Sequence, residues 1–374
     1  MSLAQTNAKA ADARQYAALP SPFPLRRGGA LHAAQLAYET WGTLNTNADN
    51  VILLYTGMSP GAHAASNAID PCPGWWEDML GAGKPIDTQR WFVVCVNSLG
   101  SCKGSTGPAS MMPGTENKLY RMDFPELCVE DIAAANLALL AHLGIAHVEV
   151  AIGCSMGGMG VLAHAALAPG SAKHAVLVSS AAYAEPFAIG IRSLQRQMVL
   201  ADPNFKQGHY ASATEVGGMG LARKLGVISY RSADEWRVRF SRQRVRNPTK
   251  EAFDTEFEVE RYLQGHADRW TGSFDPCSYI YLSRAMDWFD LAEHGDGESL
   301  ESAYAKLQFQ RALVLGVASD ILFPLAQQQE LARALKRAGT QVEFHAMASL
   351  QGHDAFLVDM ENFGPAIAHF LNSL

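Results

Sequence analysis

The sequence contains no apolar run long enough to cross a bilayer. Its first ten residues lack the basic head and the apolar core of an export signal. The six cysteines do not have the paired spacing of a disulfide framework or of a zinc site. These three absences predict a cytoplasmic protein with free thiols, no bound metal and no association with a membrane.

Charged residues are also few. Charged residues make up 18% of the 374 residues, and the formal net charge is −7. An excess of acidic groups disfavours nucleic acid and anionic membrane surfaces as partners, so we expect small-molecule partners. Low-complexity segments are missing, whereas apolar residues reach 48% of the chain. This composition and length fit a large α/β domain that carries an insertion.

Short apolar runs alternate with stretches of helical spacing along most of the chain, for example at residues 51–55, 91–96 and 147–152. That alternation predicts a mostly parallel central sheet with helices on both faces. From Tyr183 the strand pattern stops, and helices of mixed polarity are predicted until a strand returns at residue 307. We therefore predict an α/β core at residues 20–182 and 305–374, a helical lid insertion at residues 183–304, and a flexible tail at residues 1–19.

A serine lies between one of the predicted buried strands and a predicted helix. Residues 153–157 read Gly-Cys-Ser-Met-Gly and fit the pattern Gly-x-Ser-x-Gly. In that context the serine occupies a tight, strained turn with its hydroxyl exposed beside a helix N-terminus. We therefore predict that Ser155 is a nucleophile. The alternative is a glycine-rich turn whose serine only caps the helix.

A serine nucleophile needs a base to take its proton and an acid to orient that base. In α/β-hydrolases the order along the chain is serine, acid, histidine, each on a loop after a strand. Asp320 and His353 have this order and placement. Asp354 is an alternative acid, but a residue adjacent to the histidine in sequence rarely faces the same imidazole. The oxyanion hole requires two backbone N–H groups, which we assign to Met156 and Met58.

Six motifs stand out along the chain: residues 37–42 (Ala-Tyr-Glu-Thr-Trp-Gly), 74–79 (Gly-Trp-Trp-Glu-Asp-Met), 83–88 (Gly-Lys-Pro-Ile-Asp-Thr), 103–108 (Lys-Gly-Ser-Thr-Gly-Pro), 153–159 and 351–356 (Gln-Gly-His-Asp-Ala-Phe). Together they resemble the homoserine acyltransferase family of the α/β-hydrolase superfamily. The resemblance implies the α/β-hydrolase fold and the same three catalytic residues. It also implies that Arg223 and Asp354 bind an amino-acid acceptor, and that Met58, Ser59, Pro60 and Gly61 determine acceptor specificity.

Five further stretches are residues 20–24 (Pro-Ser-Pro-Phe-Pro), 97–102 (Asn-Ser-Leu-Gly-Ser-Cys), 191–196 (Ile-Arg-Ser-Leu-Gln-Arg), 286–291 (Met-Asp-Trp-Phe-Asp-Leu) and 319–324 (Ser-Asp-Ile-Leu-Phe-Pro). They are similar to the branch of this family that transfers a succinyl group from succinyl-CoA to the hydroxyl of L-serine. The similarity implies a succinyl-serine enzyme intermediate, no cofactor besides the CoA co-substrate, and a homodimer. A succinyl group carries a carboxylate that is costly to bury unpaired. We therefore expect Arg192, or otherwise Arg196, to determine acyl-CoA specificity. Lys103 is expected to meet the CoA phosphates or to cap its own loop. Homoserine O-acetyltransfer or O-succinyltransfer and ester hydrolysis are the alternative activities.

Overall fold

An eight-stranded sheet runs through the computed structural model, which describes residues 12–246 and 254–374. The strand order in this sheet is β1-β4-β8-β5-β9-β10-β11-β12, and β2-β3 and β6-β7 form two separate pairs. The strands are β1 Gln15–Ala18, β2 Phe23–Pro24, β3 Ala30–Leu31, β4 Gln35–Trp41, β5 Val51–Tyr55, β6 Leu80–Gly81, β7 Ile86–Asp87, β8 Phe92–Val96, β9 Val148–Cys154, β10 Ala172–Val178, β11 Arg311–Val317 and β12 Gln341–Met347.

Parallel pairing dominates the large sheet. Strands β8, β5, β9, β10, β11 and β12 pair in parallel, whereas β4 pairs antiparallel with both β8 and β1. The predicted mostly parallel sheet is therefore confirmed. Because parallel strands share a direction, the loops after β5, β9, β11 and β12 emerge at one edge of the sheet.

Helices cover both faces of the sheet, which explains the unbroken apolar runs. In β5, Leu53 packs into the core on one face and Leu54 into the core on the other, and both are fully buried. The helices are α1 Val129–His142, α2 Met156–Leu167, α3 Pro186–Leu200, α4 Gly218–Tyr230, α5 Ala233–Phe240, α6 Glu258–Trp270, α7 Pro276–Trp288, α8 Leu300–Lys306, α9 Leu325–Arg337, α10 Ala355–Val358 and α11 Met360–Asn372.

Within the described residues, six helices, α3 to α8, lie between β10 and β11 in the chain. They occupy the region predicted to be a lid insertion, and α4 packs against both α3 and α6. Residues 247–253 of this region lie outside the described residues. Among the described residues, no helix is both long and apolar enough to cross a bilayer.

The predicted N-terminal tail needs a correction. Residues 15–18 form β1 at the edge of the sheet, where Gln15 pairs with Tyr38 and Ala18 with Gln35. Only Ala17 is buried within this strand, so the sequence offered a weak signal. Residues 1–11 of the predicted tail lie outside the described residues.

Candidate active site

Ser155 occupies the turn between β9 and α2 with φ of 56° and ψ of −123°. A non-glycine residue rarely adopts a positive φ, so this backbone is strained. The flanking glycines allow the turn to close tightly. A Cβ on Gly153 would overlap the carbonyl oxygen of Gly157, and a Cβ on Gly157 would lie 2.5 Å from that of Tyr55. The turn therefore presents the serine hydroxyl at the sheet edge, as the motif predicted.

Two hydrogen bonds link Ser155 to the predicted base and acid. Nε2 of His353 lies 2.8 Å from the Ser155 Oγ, and its Nδ1 lies 2.7 Å from Oδ2 of Asp320. The other oxygen of Asp320 accepts the backbone N–H groups of Leu322 and Phe323 at 2.9 and 3.0 Å. This arrangement fixes Nδ1 as the protonated nitrogen and leaves Nε2 free to accept the serine proton.

The pKa of His353 reflects two opposing effects. Burial lowers it, but the charge of Asp320 and the hydrogen bond to Asp320 outweigh burial, so the pKa is raised above its ordinary value. The ring also stacks on Phe323 with the centroids 5.1 Å apart. The imidazole is therefore both oriented and made more basic by its neighbours.

Asp354, the alternative acid, does not orient the imidazole. Its Oδ2 lies 3.4 Å from Nε of Arg231. Burial raises the pKa of Asp354, and the charge of Arg231 opposes that effect. Asp320 already occupies Nδ1 of His353, whereas Asp354 pairs with Arg231 and lines the cavity at Ser155, so the structure distinguishes the two carboxylates.

The two residues expected to supply the oxyanion hole belong to different elements. Met156 begins α2, where first-turn N–H groups have no acceptor inside the helix. Met58 belongs to the loop after β5 and lines the same cavity as the serine. Their role in binding an oxyanion stays a prediction.

A cavity opens at Ser155 between the sheet edge and the helical insertion. Met58, Ser59 and Pro60, which were predicted to determine acceptor specificity, line this cavity. The carbonyl of Gly61 accepts the indole N–H of Trp75 at 3.1 Å. Apolar and aromatic side chains supply most of the remaining wall. They include Trp75, Ile191, Tyr230, Trp270, Met286, Leu322, Phe323, Phe356 and Leu357.

The two arginines expected to determine acyl-CoA specificity both pair with the carboxylate of Asp287. Arg192 Nε lies 2.5 Å from Oδ1 of Asp287, and Arg196 Nη1 lies 2.7 Å from Oδ2. Arg196 also donates to Ser283 Oγ at 2.9 Å. Arg192 lines the cavity, and its buried Nη2 makes no hydrogen bond within the described residues. The geometry therefore favours Arg192 over Arg196 as the cation that meets a ligand.

Arg223 also lines the cavity. Its guanidinium lies over Trp270, 4.7 Å from the ring centroid, and 5.8 Å from that of Tyr230. Aromatic faces attract a cation without neutralising it, so the guanidinium keeps its charge for an anion. Lys103, by contrast, donates to the carbonyl of Ser273 at 2.7 Å.

Sequence reasoning missed Asp287, Arg231 and Trp270. Each acts through an expected site residue, so no catalytic motif marks it. Asp287 lies within residues 286–291, which carry part of the family resemblance, and that was the one available signal. The described residues hold no group of three or more His, Cys, Asp or Glu side chains that could bind a metal.

Comparison with known proteins supports the observed fold. The alpha/beta hydrolase fold family matches residues 50–359. A homoserine O-acetyltransferase from Bacillus anthracis superposes with a TM-score of 0.87 at 26% identity, covering 96% of this chain and 97% of that one. The esterase E22 superposes with a TM-score of 0.85 at 25% identity, covering 96% and 100%. The chain is therefore an α/β-hydrolase-fold protein, as predicted.

Sequence relatives define the family more narrowly. The serine O-succinyltransferase of Frateuria aurantia is 55% identical over 97% of this chain and all of its own length. The serine O-succinyltransferase of Stenotrophomonas maltophilia is 54% identical over 96% of this chain and 98% of its own. The chain belongs to the family that contains these two enzymes, and the resemblance inferred from its motifs is confirmed.

Proposed function

We propose that this protein transfers a succinyl group from succinyl-CoA to the hydroxyl of L-serine. Similarity to serine O-succinyltransferases over nearly the whole chain supports the reaction. The observation that carries the chemistry is the hydrogen-bonded chain from Ser155 through His353 to Asp320, at 2.8 and 2.7 Å. This chain opens into a cavity that also holds Arg192 and Arg223.

The first half of the reaction acylates Ser155. Nε2 of His353 takes the hydroxyl proton while Oγ attacks the thioester carbon, and the N–H groups of Met58 and Met156 bind the resulting oxyanion. As the intermediate collapses, the carbon–sulfur bond breaks and His353 returns the proton to the CoA sulfur. Free CoA leaves, and a succinyl ester remains on Ser155.

The second half transfers the succinyl group to the acceptor. The hydroxyl of L-serine gives its proton to His353 and attacks the ester carbonyl, and the same two N–H groups bind the oxyanion. Collapse breaks the bond to the Ser155 oxygen, which recovers the proton from His353. O-succinyl-L-serine leaves, and we infer that it supplies cysteine synthesis. The helical insertion covers the cavity and keeps out water that would hydrolyse the ester.

The cavity offers charges that complement both substrates. Arg192, with its unpartnered buried Nη2, is suited to the terminal carboxylate of the succinyl group. Arg223 is suited to the α-carboxylate of L-serine, and Asp354 to its ammonium. The two arginines thus complement the two substrate carboxylates, and Asp354 complements the ammonium group.

A matrix of donors and acceptors tests the proposed reaction. Thiol release is followed with acetyl-CoA or succinyl-CoA against L-serine or L-homoserine, and succinyl-CoA with L-serine should give the highest kcat/KM. Without an acceptor, a burst of one thiol per active site should appear, and Ser155→Ala should abolish it. A Ser155→Ala variant that retains full transfer would contradict the mechanism.

Two other activities have support from the similar structures, a homoserine O-acetyltransferase and an esterase. Serine and homoserine differ by one methylene, which is worth about 1–3 kcal/mol, so the matrix should show some transfer to homoserine. A preference for homoserine would assign the first activity. Steady thiol release that no amino acid accelerates would assign the second.

Donor specificity is tested by replacing each arginine in turn. Arg192→Leu should lower kcat/KM for succinyl-CoA by about 10- to 100-fold, because a hydrogen bond to a charged group is lost. Acetyl-CoA lacks the carboxylate and should be affected much less. Arg196→Leu is the matched comparison, since it removes the other partner of Asp287. A larger change of donor preference in Arg196→Leu would assign the role to Arg196 instead.

We also infer that the protein is a cytoplasmic homodimer. CoA thioesters do not cross membranes, so the reaction belongs where they are made. Leu194 on α3 and Leu221 and Ile228 on α4 are large apolar side chains with about half of their surface exposed, which suits contact with a second copy. Light scattering should give twice the 40.5 kDa chain mass, and Leu221→Glu should lower it. A 40.5 kDa species for the unaltered chain would contradict the dimer.

A further inference from the structure

The residues that follow α4 form hydrogen bonds to the loop that carries the catalytic histidine. The Ser232 hydroxyl donates to the carbonyl of Leu350 at 2.5 Å. The Arg231 guanidinium donates to the side-chain oxygen of Gln351. These two bonds join the helical insertion to the α/β core directly beside His353.

Gly352 makes this close approach feasible. Its φ is +63°, and a Cβ at this position would lie 2.5 Å from the carbonyl oxygen of Tyr230 and 3.0 Å from the carbonyl carbon of Arg231. The backbones of the two segments therefore meet where a side chain would hold them apart. Tyr230 also lies beside the catalytic imidazole, with the ring centroids of Tyr230 and His353 6.0 Å apart.

An ion pair crosses the same junction. Nε of Arg231 lies 3.4 Å from Oδ2 of Asp354, and the Arg231 side chain is 12% exposed. This Nε is buried and makes no hydrogen bond within the described part of the chain. Asp354 lines the cavity at Ser155, whereas Arg231 is not among the described residues that line it. Arg231 therefore reaches the substrate only through Asp354.

A carboxylate binds an ammonium group well only while it is ionised and aimed at it. Burial raises the pKa of Asp354 and so favours the neutral acid. Three cationic or titratable groups, Arg231, His353 and Arg223, oppose that effect, with Arg231 the strongest of them, and the charge of Asp320 adds to it. His353 and Arg223 have tasks of their own in the reaction, which leaves Arg231 as the neighbour dedicated to Asp354.

We propose that Arg231 is a positioning residue for the acceptor, holding Asp354 so that its carboxylate receives the ammonium group of the incoming amino acid. The inference rests on the proposed function and adds to it the residue that prepares the ammonium subsite. It also makes the acceptor subsite dependent on the junction between insertion and core. The donor half of the reaction does not involve Asp354 and should proceed without Arg231.

The test compares Arg231→Met, Arg231→Lys and Arg239→Met in the full chain. Arg239 also pairs with a carboxylate, that of Glu235 at 3.3 Å on α5, and serves as the matched control. Arg231→Met should raise KM for L-serine about tenfold, with a smaller fall in kcat and an unchanged thiol burst. Arg231→Lys retains the charge and should recover part of the KM. Arg239→Met should leave KM and the burst unchanged.

A pH profile separates positioning from a merely structural effect. Without Arg231, Asp354 should be protonated at higher pH, so the rise in KM for L-serine at acidic pH should begin at a higher pH in Arg231→Met. An unchanged KM in Arg231→Met with a normal burst would overturn the inference. A lost burst in both Arg231 variants would also overturn it, since Arg231 would then support the triad. A missing burst in the unaltered protein would instead contradict the proposed function.

Discussion

Asp320 uses its two carboxylate oxygens for different tasks. Oδ2 accepts from His353, and Oδ1 accepts the backbone N–H groups of Leu322 and Phe323. The bonds to the backbone N–H groups hold the carboxylate on its loop, and the bond to His353 holds the imidazole. An asparagine amide oxygen could still accept the backbone N–H groups of Leu322 and Phe323. Its amide nitrogen, however, would donate to Nδ1 of His353, where an acceptor is required.

Asp320→Asn should therefore leave the fold intact and reduce kcat by about 10⁴-fold, because His353 would be held in the wrong tautomer. The measurement is thiol release with saturating succinyl-CoA and L-serine. Thermal unfolding of the same preparation is the control and should change little. A loss of less than tenfold would argue that another group orients the imidazole.

The raised pKa of His353 should set the acid limit of activity. Only the neutral imidazole can accept the Ser155 proton, so the acylation rate should fall as the pH drops through this pKa, which lies above about 6.5. The same shift stabilises the fold below about pH 6.5, and that contribution disappears as the pH rises through the folded-state pKa. Burst rates measured against pH should show the acid limb moving to lower pH in Asp320→Asn, where burial acts without the opposing charge. A limb that stays in place would contradict the assignment to His353.

Among the secondary-structure elements, α4 carries one of the two residues proposed to bind the acceptor. Arg223 lies within it, Tyr230 ends it and Arg231 follows it. The helix was predicted from its pattern, but the direction of its side chains depends on how it packs against α3 and α6. For this reason the resemblance identified Arg223, whereas Arg231 and Trp270 became visible only in the structure.

Two glycines with positive φ test the junction between α4 and the histidine loop. A Cβ on Gly352 would meet the backbone of Tyr230, whereas a Cβ on Gly339, after α9, would have nothing within 4 Å. Both alanine variants should lose about 1–2 kcal/mol of stability from backbone strain, and overpacking should cost Gly352→Ala a further 1–3 kcal/mol or so. Gly352→Ala alone should also raise KM for L-serine. Denaturant unfolding and steady-state kinetics check both points, and equal behaviour of the two variants would argue against a tight junction.

At the scale of the whole molecule, the sequence predicted those features that depend on order along the chain. Ser155, Asp320 and His353 each follow a predicted strand, and parallel pairing brings the ends of strands to one edge of the sheet, so their meeting could be inferred from the sequence. The sequence did not predict features that have a weak hydrophobic pattern or that join residues far apart in the chain. Strand β1 has a single buried side chain, and the pairing of Arg192 with Asp287 joins residues 95 positions apart.

The edge strand β1 offers a last prediction about the sheet as a unit. Ala17 is 1% exposed and faces the core, whereas its neighbour Ala18 is exposed. Ala17→Asp would bury a carboxyl group without a partner and should lower the free energy of unfolding by about 2–4 kcal/mol, while Ala18→Asp should change it by less than about 0.5 kcal/mol. Denaturant titration measures the difference. Equal stability of the two variants would mean that β1 does not pack on the core in solution, and that the sheet begins at β4.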